Sequence, residues 1–141
     1  MVTVYDVPVN AVIDKAAAKF KEDKVDVPAY VRLVKTGPHK DRVPESPDYW
    51  YHRLASLLYQ AYRHERVGVA RLRTHYGGRQ NRGVRPEHHK DAAGSQIRRG
   101  LQQLEKLGFV KKEKKGRVIT AAGKKLLDGM ARQVASAKPK E

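Results

Sequence analysis

The sequence predicts a mainly α fold: a single winged helix-turn-helix-like domain with an added N-terminal helical segment, a long basic loop and a small β-hairpin wing. Three observations carry this. Apolar residues recur at helical spacing in several successive segments. Two short strand-like runs, Phe109-Val110-Lys111-Lys112-Glu113 and Arg117-Val118-Ile119-Thr120, flank Lys114-Lys115-Gly116. From residue 48 the predicted order is helix, short helix, basic loop, amphipathic helix, two-stranded hairpin, helix. The 141 residues are 40% hydrophobic, enough for one domain with a core. Residues 1–135 are assigned to that domain and 136–141 to a flexible C-terminal tail.

Val9, Ile13, Ala16, Ala17 and Phe20 mark the apolar face of a first helix over residues 8–23, opened by Pro8. Pro28 begins a shorter helical stretch, Ala29 to Val34, ended by Gly37-Pro38. Residues 36–48 read as a proline-restrained loop bearing Lys40 and Arg42, with Lys35 just before it. Such a loop can follow a phosphate backbone or serve only as a solvated connector.

Asp48 is placed as the cap of the strongest helix, 48–65. Trp50, Leu54, Leu57, Leu58 and Ala61 form its core face. Tyr49, Arg53, Ser56, Gln60 and Arg63 form a polar stripe, in which Arg53 and Arg63 are candidate nucleic-acid contacts. Tyr51, Ala55, Tyr59 and Tyr62 form a third stripe, suited to base stacking or to half-buried packing. Gly68 separates a short helix with Val69, Leu72 and Tyr76 inward and Arg71 and Arg73 outward.

Residues 77–93 carry Arg79, Gln80, Arg82, Arg85 and His88 between glycines and are read as a long basic loop or hairpin without a regular element. A helix over 94–107 follows, capped by Ser95, with Ile97, Leu101, Leu104 and Leu107 on one face and Arg98 and Arg99 on others. Gly100 weakens this helix by about 1 kcal/mol against Ala and marks close packing. Gly108 ends it. Residues 109–113 and 117–120 form the wing, crowded by Lys111, Lys112, Lys114, Lys115 and Arg117. Thr120 begins a last helix with Ala122, Leu126, Leu127, Met130 and Val134 inward.

The charge is unevenly placed. Residues 1–34 hold five basic and five acidic residues; residues 35–141 hold 25 basic and 10 acidic, and so the whole net charge of +15. An excess that large repels itself unless a polyanion answers it, and solubility alone asks for a magnitude of about 2–8. Nucleic acid is the expected partner. An anionic membrane would need a basic helix with its apolar face free, and these helices need theirs for a core, so no membrane partner is expected.

Enzymatic chemistry finds no footing. There is no cysteine, hence no disulfide, thiolate metal site or cysteine nucleophile. The six histidines lack metal-ligand spacing, and Gly77-Gly78 lacks the lysine and spacing of a phosphate loop. No metal, cofactor or catalytic residue is assigned. No 18-residue apolar run and no secretory leader pattern is present.

Tyr76-Gly77-Gly78-Arg79-Gln80, followed by Gly83-Val84, Pro86 and His88, resembles the diagnostic stretch of small-ribosomal-subunit protein nineteen of the archaeal and eukaryotic type. Val34-Lys35-Thr36-Gly37, Trp50-Tyr51, Arg53, Ala55-Ser56, Arg98-Arg99, Leu101-Gln102 and Leu104-Glu105 agree, so the likeness runs from Val4 to about Ala135. Length and the lack of added tails resemble archaeal members. The resemblance implies a mostly helical, winged-helix-like structural protein of the small-subunit head. It further implies binding to the 3′ major domain of ribosomal RNA beside neighbouring head proteins, a part in subunit maturation, and residence in cytoplasmic ribosomes. The family's RNA-facing positions fall on Arg53, Arg79, Gln80 and Arg98; where some relatives carry a further Arg, this chain has Tyr59, and no RNA role is carried to it. The alternative from element order is a winged-helix DNA-binding regulator. Such proteins dimerise on two-fold sites, whereas this chain has no spare apolar helix and is expected to be monomeric outside the ribosome. A ribosome-associated RNA chaperone, which would leave the mature subunit, is a third class.

Overall fold

A computed structural model describes residues 1–137. Its five α-helices and two antiparallel hairpins follow in the order α1 (Val9–Glu22), α2 (Tyr49–Arg63), α3 (Val69–Tyr76), β1 (Gly78–Arg82), β2 (Arg85–Lys90), α4 (Gly94–Lys106), β3 (Val110–Glu113), β4 (Gly116–Ile119) and α5 (Ala121–Ala137). Short 3-10 turns precede α1 and α2, at Val4–Asp6 and Ala29–Arg32.

Helix α2 is the hub. Trp50, Leu54, Leu57, Leu58 and Ala61 are all buried, as their spacing predicts, against α1, α4 and α5. The Trp50 indole nitrogen still reaches a partner, donating to Gln103 Oε1 at 2.8 Å, so the largest core side chain leaves no orphan donor. Ala55 and Tyr59 are buried as well, which makes the third stripe of α2 packing surface rather than a stacking platform. Tyr62 donates to Asp128 at 2.9 Å and ties α2 to α5; burial and that carboxylate push its phenol up to about 12.

Several local expectations are corrected. Helix α1 buries Val12, Ala16, Ala17 and Phe20, while Val9 and Ile13 are only half-buried, because α1 is rotated to fit between α2 and α5. Asp48 occupies the N-cap position of α2 with ψ 8° and makes no side-chain cap bond; its carboxylate instead takes Lys21 of α1 at 3.1 Å. Ser95 lies inside α4, which begins after Ala93, where the Ala93 amide is held by the Thr36 carbonyl at 2.8 Å. Leu107 is exposed rather than core, as is Ala122. The stop at Gly108 holds: with φ 81°, its amide bonds to the Glu105 carbonyl and that of Phe109 to the Leu104 carbonyl. This pair of bonds is a Schellman motif.

The largest correction concerns residues 77–93. They form the hairpin of the loop-or-hairpin reading, but with the regular strands that reading excluded: Gly78 pairs with Lys90, Arg79 with His89, Gln80 with His88 and Arg82 with Arg85. Gly83 turns the chain at φ 72°, and its amide is met by Asn81 Oδ1 at 2.9 Å. Alternation of apolar residues could not reveal these strands, because β2 is exposed along its whole length.

The second hairpin, β3–β4, docks on the chain before α3: Val67 and Arg117 exchange backbone bonds of 3.0 and 2.9 Å. Of the expected tail, Ser136 and Ala137 are still helical; residues 138–141 lie outside the described residues. Among the described residues no helix is long and apolar enough to cross a membrane.

Candidate nucleic-acid interface

The first hairpin is clasped to the loop before α2. Gln80 donates to the Pro38 carbonyl at 3.1 Å. The His39 ring lies against Gly37 and Gly78 so closely that a Cβ on Gly37 would sit 2.8 Å from it and one on Gly78 3.1 Å. A Cβ on Gly77 would strike the Lys90 carbonyl oxygen. These glycines serve close backbone approach. Arg73 closes the base of the hairpin: its Nε donates to the Ala92 carbonyl at 2.9 Å, and its carbonyl takes the Ala92 amide at 3.0 Å.

The clasp brings Lys35 and Lys40 onto one framework with Arg79, Arg82, Arg85 and His88. All are exposed except Arg82, which is half-buried and donates to the Pro86 carbonyl. Arg79 points away from the clasp, on the exposed side of an alternating strand. His39 is held neutral: burial, then Lys40, His89 and Arg53, lower its pKa from the ordinary value of 6.5. Its Nδ1 is buried with no partner among the described residues.

The polar stripe of α2 is not an open stripe. Gln60 is buried and shares a 3.1 Å hydrogen bond with His75 Nε2. Arg53 is half-buried: its Nε donates to the Tyr49 hydroxyl at 3.1 Å, and its guanidinium stacks on the Tyr76 ring. Tyr49 in turn donates to Gln96 at 2.9 Å, and Tyr76 shares a 2.6 Å bond with Ser56. Burial raises the Tyr76 phenol pKa, against the opposing pull of Ser56 and Arg53. The Tyr49–Arg53 contact follows from i, i+4 spacing on one helix; Tyr76 arrives from another helix, and nothing in the local sequence signals it.

The remaining predicted residues separate into two groups. Arg63, Arg71, Arg98, Lys112, Lys114 and Lys115 are exposed. Arg99 is also exposed, with its guanidinium 4.8 Å over the Tyr30 ring. Three others have carboxylate partners. Arg42 lies 4.0 Å from Glu45 with both side chains well solvated, and Lys111 lies 3.4 Å from Glu113. Arg117 is only 13% exposed and bonds through Nε to Glu105, pinning the second hairpin to α4. That pairing gives Arg117 a structural role. Among the described residues no group of three His, Asp or Glu side chains could hold a metal ion.

Together, fold and surface define a class: a small helical protein that displays arginine and lysine from two hairpins, a loop and helices α2, α3 and α4. Residues 3–137 match the family model for Ribosomal protein S19e, and the chain belongs to that family. It is 47% identical over 138 residues to the Small ribosomal subunit protein eS19 of Aeropyrum pernix, covering 95% of this chain and 90% of the relative. Identity to the eS19B of Schizosaccharomyces pombe is 42% over 132 residues, with 92% of each covered, and to the eS19A of Saccharomyces cerevisiae 41% over 135 residues, with 94% of each covered. Of these three the archaeal relative is the most similar. The family is structural and not enzymatic.

Proposed function

We propose that this chain is a structural constituent of the small-subunit head that binds the 3′ major domain of ribosomal RNA and assists maturation of the subunit. The observation that carries this is the near full-length likeness to proteins named as small ribosomal subunit proteins. The surface supplies a mechanism. Ribosomal RNA is a fixed, irregular polyanion that can be held by shape and phosphate contacts without base readout. Arginine suits those contacts because its planar fork fits phosphate and stacks on bases. Arg79, Arg85 and Arg98 stand exposed, while Arg53 is pre-set on a tyrosine platform. Lys112, Lys114 and Lys115 of the second hairpin supply a less directional attraction. Neutralising six or more phosphates would make affinity fall roughly 10³-fold or more between about 50 and 200 mM salt.

The arrangement from Tyr49 onward is of winged-helix type in this reading, with α4 in the recognition position, β3–β4 as the wing and Val67 as the short third partner strand. Residues 1–135 act as one RNA-binding domain, monomeric outside the cytoplasmic ribosome and beside other head proteins within it. The DNA-binding regulator draws no support from the relatives.

Sedimentation of a cell lysate through a high-salt sucrose gradient, with antibody detection, tests the proposal. Stoichiometric retention on the small subunit is expected. Migration near the top of the gradient would mark a transient factor or a regulator instead.

A further inference from the structure

Between the C-terminal half of α2 and α3 lies a pocket of about 190 Å³, with Arg71 of the predicted basic surface at its edge. Gln60, Val67 and Leu72, all nearly fully buried, line its interior. His75 forms an exposed wall, and Arg66 and Arg71 stand exposed around it. Gln60 spends its amide nitrogen on His75 Nε2 at 3.1 Å, which leaves the amide oxygen as an acceptor. In that arrangement Nε2 accepts, so the neutral imidazole carries its proton on Nδ1 and can donate. Although the residue is exposed as a whole, partial desolvation of its ring, then His64, Arg63 and Arg53, lower its pKa from the ordinary 6.5.

The chemistry is graded. Inside are two apolar side chains, an amide acceptor and a neutral imidazole; at the edge are two cations. A bare anion would find its charge partners only at the edge and would lose hydration further in. A nucleotide entering base first matches both zones, and unstacked bases are what proteins read in single-stranded RNA.

We propose that this pocket receives one unstacked base of the bound RNA, with Gln60 and His75 on the base edge and Arg66 and Arg71 on the flanking phosphates. The proposal rests on the RNA-binding reading above. Arg66 also lies 3.9 Å from Glu113, so its phosphate contact competes with that weak pair, and Arg71 is the stronger of the two.

Two experiments decide it. The first titrates the wild-type chain with nucleoside 5′-monophosphates, with ribose 5-phosphate and inorganic phosphate as controls, following the His75 ring and Gln60 side-chain amide resonances by NMR. Saturable shifts with at least one nucleotide, and at least roughly tenfold weaker binding of ribose 5-phosphate, are expected. Equal response to either control, or no response to any nucleotide, overturns the proposal. The second measures binding of a 3′ major-domain RNA fragment to the His75→Leu chain. Affinity should fall roughly tenfold, within the range of one lost base contact, and the salt slope should stay unchanged because no phosphate contact is removed. Unchanged affinity overturns the pocket. If the wild-type chain fails to bind the fragment, the RNA-binding reading itself fails, and the nucleotide titration still decides the pocket even where His75→Leu does not fold.

Discussion

The guanidinium carbon of Arg53 lies 4.0 Å from the centroid of the Tyr76 ring. Arg53 stands on α2 and Tyr76 ends α3, so one cation–π contact joins the hub helix to the base of the first hairpin. The Tyr49 hydroxyl fixes the other side of the same side chain. An arginine held this way has already lost its rotamer freedom, and binding need not supply that ordering again. Arg53→Lys keeps the charge and removes the planar stack. We expect it to destabilise the fold by about 1 kcal/mol, read as a lower urea midpoint at unchanged m-value. An unaltered midpoint would mean the stack contributes nothing.

Gly100 sits where α4 crosses α2, and a Cβ there would collide with Leu57 Cδ1. Helix propensity favours Gly100→Ala by about 1 kcal/mol, but overpacking a core opposes it by about 1–3 kcal/mol. Packing should win, because Leu54 and Trp50 close the other sides of the site at 3.5 and 3.8 Å. Denaturant unfolding should show a net loss of stability; a gain would show that Leu57 moves aside freely.

Trp50 is 1% exposed. Trp50→Ala should cost about 3–5 kcal/mol through cavity formation, and it also strands the Gln103 carbonyl that its indole reaches. Thermal and urea unfolding measure this directly; a loss below about 1 kcal/mol would contradict a core position.

Arg79 and Arg98 are exposed and carry no ion pair among the described residues. Replacing both with Ala should leave the thermal midpoint nearly unchanged while weakening RNA binding. The slope of log affinity against log salt should fall by about 2 if each contacts one phosphate. A collapse of the midpoint would make these arginines structural.

His39 links stability to pH. Its folded pKa lies below the ordinary value of 6.5, so the neutral ring is the form the clasp favours. The stabilising contribution is present above that value and is lost as pH falls through the folded pKa. Hydrogen exchange of the β1–β2 amides, corrected for intrinsic rate, should show lost protection as pH falls below 6.5. The pH dependence should be weaker in His39→Phe. Equal dependence in both chains would assign the effect to another group.

How far local sequence could reach differs from element to element. The core faces of α2 and α4 were legible because a helical repeat of apolar residues is a local signal. The second hairpin was legible because valine and isoleucine flank a lysine-glycine turn. The first hairpin was not: Arg85 to Lys90 carry no buried face, so a strand there has no hydropathy pattern to display. The candidate site divides in the same way. Exposed arginines such as Arg79 and Arg98 could be chosen from charge alone, but Arg117 could not be told apart from them until Glu105 was seen beside it.

Composition, charge asymmetry, most of the helices and family membership were therefore determined by the sequence by itself, since each is a property of residues close together in the chain or of their sum. Tertiary structure alone decided which cations are free and which are pinned, why Gly77 and Gly78 are glycines, and where a pocket opens between α2 and α3. The physical reason is distance along the chain. Gln80 meets Pro38 across 42 positions and Tyr76 meets Ser56 across 20. Contacts of that span are set by the packing of whole elements, which no local pattern of residues encodes.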